Sequence, residues 1–245
     1  TGRMTHSKPN MAQVPASYSP YGKECRSLWT VPHGYWLVGC DASGLELRML
    51  AHYMNDDTYT NEILTGDIHT ANQLSAGLDT RDQAKTFIYA FLYGAGDEKI
   101  GSILGGGSGI GRKVKKKFLD NTPALKSLRE RVATASKRGY LIGLDGRRIH
   151  VRSEHSALNT LLQGAGAIVM KKALVLLENY AIMRGIQYKF IGNIHDEIQT
   201  EVIDSDAKVF GEIAVKAIQE AGKELNLNCP LDGEYKIGEN WNATH

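Results

Sequence analysis

Two aspartates and one helix face hold the chemistry-bearing pattern of this 245-residue chain. Asp41 closes the short apolar run YWLVGCD, and Asp196 follows a second strand-like stretch, Tyr188 to Ile194. Carboxylates delivered by two strand ends can meet at the rim of one sheet while remaining far apart in sequence. Brought close together they repel unless a shared cation neutralises them, and hard oxygen donors suit magnesium better than zinc. Loop aspartates in solvated turns give the same local signal, so the pair needs a companion feature. Arg81, Lys85 and Tyr89 supply it: they recur at i, i+4 and i+8, on a stripe separate from most of the apolar face of one helix, and Tyr93 extends the stripe by a turn. Two cations near a positive helix N-terminus, followed by an aromatic ring, can grip a triphosphate and pack beside a sugar and base.

The elements that must position these residues follow from periodicity. Tyr35 to Asp41 reads as a strand that meets a turn at Gly44, followed by a helical pattern through Leu45, Met49 and Tyr53. Asp79 or Thr80 can cap the clearest helix, in which Ala84, Phe87, Ile88, Phe91 and Leu92 mark a buried face that stops near Gly94 to Gly96. GSILGGGSGIGRKVKKK then reads as a Gly-rich passage into a lysine run. Thr122-Pro123 opens another helix, running to about Arg138. Asp145-Gly146, between the apolar stretches of Leu141 to Val151, signals a hairpin. A long helix, roughly His155 to Arg184, precedes the strand Tyr188 to Ile194, a turn at His195-Asp196, and a strand from Glu197 to Val202 in which Ile198, Thr200 and Val202 alternate with Gln199 and Glu201. The first 35 residues contain Pro9, Pro15, Pro20 and Pro32 and read as an extended segment wrapping a surface.

Charge is segregated along the chain. Between Arg81 and Arg152, 16 Lys or Arg face 6 Asp or Glu, so a stretch of net charge +10 sits between flanks of -3 and -5. A cationic block bracketed by sparse carboxylates suits a metal-dependent enzyme acting on a polyanion. With 42% hydrophobic residues the chain can bury a substantial core. No apolar run is expected to reach bilayer-spanning length and the N-terminal residues show no signal or transit pattern, which points to a soluble cytoplasmic protein with no membrane partner. Cys25, Cys40 and Cys229 are widely spaced with no CxxC, so buried thiols are expected in place of a disulfide framework or zinc site.

DASGLELRML around Asp41, RDQAKTFIYAFLYGAG with Arg81, Lys85, Tyr89 and Tyr93, and IHDEIQ with Asp196 resemble, in order and separation, the three polymerase motifs of A-family (DNA polymerase I-like) DNA polymerases. The opening TGRMTHSKPNMAQVP, GDIHT, GLDGRRIHVRS and ALNTLLQGAGA are also similar, most of all to the bacteriophage branch, so the resemblance covers nearly the whole chain. It implies an α+β right-hand polymerase: a palm of antiparallel sheet with packed helices, with an inserted helical fingers subdomain. Residues 1–53 would be the first part of the palm, 54–139 the fingers and 140–245 the second part of the palm.

By the same resemblance, Asp41 and Asp196 would bind two Mg2+ ions with the backbone carbonyl of Ala42, and Glu197 would support the catalytic site. Arg81, Lys85 and His69 would contact the triphosphate of an incoming dNTP. Glu46 would block a ribose 2′-hydroxyl, and Tyr89 would govern sugar discrimination and admit dideoxynucleotides. Arg3, Tyr93, Asn159, Gln163 and His195 would contact primer-template DNA, with Asn159 and Gln163 one turn apart so that both amides can reach minor-groove acceptors common to every base pair. Ala90 departs from the glycine common after the ring residue. Arg112, Lys113 and Lys115 to Lys117 read as a general phosphate-facing or solvated patch. The thumb and exonuclease are absent from the resemblance, so the chain is expected to be one piece of a split enzyme, completed by a complementary polymerase chain bearing the thumb and an exonuclease if there is one. A fragment of a single-subunit RNA polymerase and a catalytically silent DNA-binding subunit stay open as other classes; Glu46 argues against the first, and retention of both aspartates against the second.

Overall fold

A computed structural model describes residues 1–245. Along the chain the elements are α1 (Gly22–Ser27), β1 (Tyr35–Ala42), α2 (Leu45–Met54), α3 (Asp57–Leu64), α4 (Ile68–Ala76), α5 (Arg81–Leu92), α6 (Asp97–Ile103), α7 (Ser108–Asp120), α8 (Pro123–Ser136), β2 (Tyr140–Ile142), β3 (Arg148–His150), α9 (Ala157–Met183), β4 (Tyr188–Ile194), β5 (Glu197–Ile203), α10 (Ala207–Glu224) and β6 (Gly233–Gly238). They form two compact units. One comprises Thr1 and Glu46–Ala165; the other comprises Gly2–Leu45 and Gly166–His245.

The second unit is built on an antiparallel sheet of order β4-β5-β1-β6. Leu37, Val38 and Cys40 of β1 are buried, and α10 covers β1 and β6 with Phe210, Ile213, Ala214, Ala217, Ile218 and Ala221, which fall at the three-and-four spacing of one helix face. Burying each large side chain of that face contributes about 1.5 to 3 kcal/mol, so the sheet is anchored from the α10 side. The alternation of β5 would leave its polar residues in water, yet Glu197, Gln199 and Glu201 are buried as well. Residues 241–244, which follow β6, contribute Trp241 and Thr244 to the covering of Glu197 and Gln199.

In the first unit, α5 forms where its pattern predicts. Thr80 and Gln83 close a capping box, and Ala84, Phe87, Ile88, Phe91 and Leu92 are all buried. Phe118 of α7 stands edge-on to Phe87 and Phe91 at 5.3 and 5.4 Å. The Gly-rich passage is a correction to the sequence reading: it forms the end of α6 and most of α7, which pack together. Gly111 lies so close to the Asp97 carbonyl that a Cβ would sit 2.0 Å from it, and a Cβ on Gly101 would meet the Gly107 carbonyl at 2.0 Å. These glycines permit a close helix crossing that propensity alone does not announce. Periodicity does not announce α3 and α4 either, although Asp56 and Asp67 cap them by accepting from Tyr59 N–H and His69 N–H.

The expected hairpin at 141–151 is β2 and β3, and the expected long helix is α9. The reading that no apolar run reaches spanning length needs correction. Glu154–Met183 is long and apolar enough by length and composition, its most apolar 18-residue window having a mean hydropathy of 1.5, but 61% of that window is buried inside the protein. That burial is the mark of a core helix. Cys25, Cys40 and Cys229 are free; Cys40 and Cys229 are buried and Cys25 is half-buried.

Candidate active site

In the sheet unit, antiparallel pairing of β1 with β5 sets Asp41 opposite Glu197. One step beyond, Ala42 N–H donates to the Asp196 carbonyl at 3.0 Å, tying the end of β1 to the β4–β5 turn. The expected meeting of two strand-end aspartates is therefore built into the backbone. His195, the first residue of that turn, has φ +63°, a conformation that non-glycine residues rarely adopt. A bulge between Phe190 and Gly192 shifts the register of β4 before it reaches the turn.

Asp41 is exposed at the rim, yet the protein packed around it disfavours its charge. Burial, then the carboxylates of Asp196, Glu197 and Glu234, push its carboxyl up to about 7, with His245 opposing them. A cation placed against this pair would relieve the repulsion that raises it. No cluster of three or more His, Cys, Asp or Glu side chains completes a protein-only metal cage. A pair of carboxylates that leaves other positions to carbonyl, water and phosphate oxygens fits magnesium, which is bound in this way.

Glu197 is placed differently. It is only 5% exposed, and burial would raise its carboxyl, but His245, Gln199 and Trp241 donate to it and the net shift is downward. Trp241 Nε1 reaches Oε1 at 2.7 Å, His245 Nδ1 lies 3.0 Å from Oε2, and Gln199 Nε2 donates to Oε1 as well. Thr244 Oγ1 donates to Gln199 Oε1 at 2.9 Å. Sequence reading missed Trp241, Thr244 and His245, whose partners lie more than forty residues away and leave no local spacing signal, and Gln199, which is two residues from Glu197 and reads as an ordinary polar position of the strand.

In the helical unit, His69 at the start of α4 lies near α5: its ring centroid is 6.3 Å from that of Tyr89. Burial, then the Arg81 and Lys85 cations, lower the His69 pKa, so the ring is neutral at neutral pH; its Nδ1 is buried without a partner. His69, Arg81, Lys85 and Tyr89 are thus brought together. Arg81 is held by Asp67 through Nε to Oδ2 at 2.6 Å and Nη2 to Oδ1 at 3.1 Å. The hydrogen bonds from Arg81 and Thr70 hold the Asp67 carboxyl well below the usual carboxylate range. Tyr93 Oη donates to Glu46 at 3.1 Å, linking the predicted sugar-blocking residue to the end of the α5 stripe.

Of the remaining residues, Arg3 and His195 line one small recess of the sheet unit with Lys171 and Asn193. Asn159 and Gln163 are half-buried, one turn apart on α9, in the helical unit. The lysine patch is partly neutralised: Arg112 and Lys115 pair with Asp97 at 3.3 and 2.9 Å, and Lys116 with Asp120 at 2.7 Å.

A family model described as DNA polymerase family A matches residues 1–243. The chain is 46% identical to the DNA-directed DNA polymerases of Enterobacteria phage T3 and Escherichia phage T7, with all of the chain and 40% of each relative covered. The DNA polymerase I of Pseudomonas aeruginosa is 27% identical, with 29% of its length covered. The chain thus spans about 40% of the length of the phage relatives it matches. Among solved structures, the POL domain of Pol1 from M. smegmatis, in complex with DNA primer-template and dNTP, superposes with a TM-score of 0.88 over 99% of this chain and 46% of that one, at 23% identity.

Proposed function

Because the chain belongs to DNA polymerase family A, we propose that it carries the palm and fingers chemistry of template-directed DNA synthesis, transferring a nucleotide from a dNTP to a primer 3′-hydroxyl. The observation that carries this reading is the meeting of Asp41 and Asp196 at one sheet rim, with a carboxyl raised to about 7 by burial and like charge. Asp41, Asp196 and the Ala42 carbonyl would hold two Mg2+ ions. Bound there, magnesium supplies charge neutralisation at the reacting α-phosphate and on the departing pyrophosphate.

The chain's own residues divide the remaining work. Glu197 keeps a fixed negative charge beside Asp196 without its oxygens being free to ligate. Arg81, Lys85 and His69 bind the triphosphate, and Arg81 exchanges the Asp67 carboxylate for phosphate oxygens of the same bidentate geometry. Neutral His69 can donate one ring N–H to a phosphate. Glu46, positioned by Tyr93, excludes a ribose 2′-hydroxyl, and Tyr89 packs beside the sugar. Arg3, Asn159, Gln163 and His195 contact primer-template DNA independently of sequence, and the +10 block provides the surrounding field. In this reading residues 1–53 and 140–245 are palm and 54–139 fingers, a complementary polymerase chain carries the thumb, and the protein works in the cytoplasm of a bacterial host.

Primer extension with Mg2+ tests the proposal, using the chain alone and with candidate fragments bearing a thumb, and offering dNTPs or rNTPs. Weak dNTP addition by the chain alone, raised by a complementary fragment, is the expected result. Processive synthesis by the isolated chain would remove the split-enzyme element, and preferential rNTP use would replace the DNA polymerase with an RNA polymerase.

A further inference from the structure

The hydrogen bonds around Glu197 run in one direction, from Gln199, Trp241 and His245 to the carboxylate beside Asp196. Trp241 Nε1 and Gln199 Nε2 both donate to Oε1, and His245 Nδ1 lies 3.0 Å from Oε2, so both carboxylate oxygens are engaged. The Gln199 amide is itself oriented: Thr244 Oγ1 donates to its Oε1 at 2.9 Å, which leaves the NH2 end facing Glu197. Behind Trp241, the Arg26 guanidinium lies 4.4 Å over the indole, and Arg26 Nε donates to the Pro15 carbonyl at 2.9 Å. The Trp241 backbone is pinned in turn, its N–H donating to the Trp29 carbonyl at 3.0 Å. Gly39 belongs to the same arrangement, since a Cβ there would meet Gln199 Nε2 at 2.4 Å and the Thr244 carbonyl at 2.6 Å.

Glu197 is opposite Asp41 in register and next to Asp196 in sequence. A carboxylate so placed and released from its donors could swing towards the cation site and compete for it, or take up a proton; held by three donors, it can do neither without breaking the network. We infer that Trp241 and Thr244 are positioning residues for nucleotidyl transfer, acting through Glu197 and Gln199 to fix the charge beside the two aspartates. The inference rests on the polymerase reading above. Arg26 backs the device by holding the indole plane, and the chemistry recognises no new ligand. Outer-shell partners of this kind typically change metal affinity or activity by about 10- to 100-fold when removed.

Single-turnover addition of one dNTP, at saturating enzyme on primer-template, tests the inference with Trp241→Phe, Thr244→Val, Glu197→Gln and the double variants. Trp241→Phe removes the N–H donor while keeping an aromatic ring under Arg26. The maximal addition rate should fall, and the Mg2+ concentration for half-maximal rate should rise, by about tenfold. Half-saturating dNTP and DNA affinity should stay within about twofold, because neither Trp241 nor Thr244 is assigned to bind them. Adding Trp241→Phe or Thr244→Val to Glu197→Gln should cause little further loss, as expected when both members of a pair act through one group. Additive losses, or a Trp241→Phe chain with unchanged rate and magnesium dependence, would overturn the inference alone. If Trp241→Phe lowers the melting temperature enough to unfold the chain, the Thr244→Val cycle decides by the same criterion. Absence of dNTP addition by the unsubstituted chain even when a complementary thumb-bearing fragment is supplied would overturn the polymerase reading itself, and the positioning role with it.

Discussion

At the scale of single residues, Asp41 gives the sharpest expectation. Burial and the neighbouring carboxylates push its carboxyl up to about 7, so on the proposed reading protons compete with the cation below that pH, whereas above it the carboxylate is ready to ligate. Proton competition at one such group makes the half-saturating magnesium concentration rise by about tenfold between pH 8 and pH 6. Titrating Mg2+ in single-nucleotide addition checks this, and a flat or inverted dependence would contradict it. Asp67 offers a second test. Asp67→Asn keeps an oxygen to cap α4 but releases Arg81, so half-saturating dNTP should fall while DNA affinity holds; a rise would mean that Asp67 places Arg81 for the triphosphate and does not merely occupy it. Tyr89→Phe should raise discrimination against dideoxynucleotides in primer extension, and unchanged termination would remove Tyr89 from sugar selection. Asp41 and Asp196 were legible in the sequence because each stands at the end of an apolar strand. Asp67, Trp241 and Thr244 were not, because their significance lies in partners brought near only by the fold.

At the scale of elements, the helices and strands with clean periods were legible: α5 from its apolar face and capping residues, β1 from YWLVGCD, and the β4–β5 hairpin from alternation around His195-Asp196. What periodicity hid was the α6–α7 pair. Glycines normally weaken a helix, yet here Gly101 and Gly111 serve close backbone approach. The consequence has a sign that propensity alone would reverse. Gly111→Ala should destabilise the protein by about 1 to 3 kcal/mol through overpacking against Asp97, despite the better helix propensity of alanine. Gly109→Ala, on the same helix with nothing within 4 Å of the new methyl, should be neutral or stabilise by up to about 1 kcal/mol. Denaturant unfolding of the two variants distinguishes them, and equal effects would show that the α6–α7 approach is looser than described. The bulge in β4 was equally hidden, because inserting one residue between strands leaves the local alternation of short segments almost unchanged.

For the whole molecule, the segregated charge pointed to a polyanion from the sequence alone, and membership of DNA polymerase family A now says which one to test. Much of the fold class was readable because three motifs fall in register across the chain. The division into compact units was less so, as the breaks near residues 45 and 165 lie inside α2 and α9, where nothing in the helical pattern changes. About 40% of each phage relative is represented here, which makes separating chemistry from DNA retention the most direct question. The decisive measurement is single-turnover dNTP addition by the Asp196→Asn chain beside its affinity for primer-template, both in Mg2+ and at one fixed salt concentration. The account predicts that addition is lost while DNA affinity stays within about threefold, since in the proposed reading the substituted group serves the metal and not the duplex. Addition at the unsubstituted rate would take Asp196, and with it the rim of the sheet, out of the mechanism.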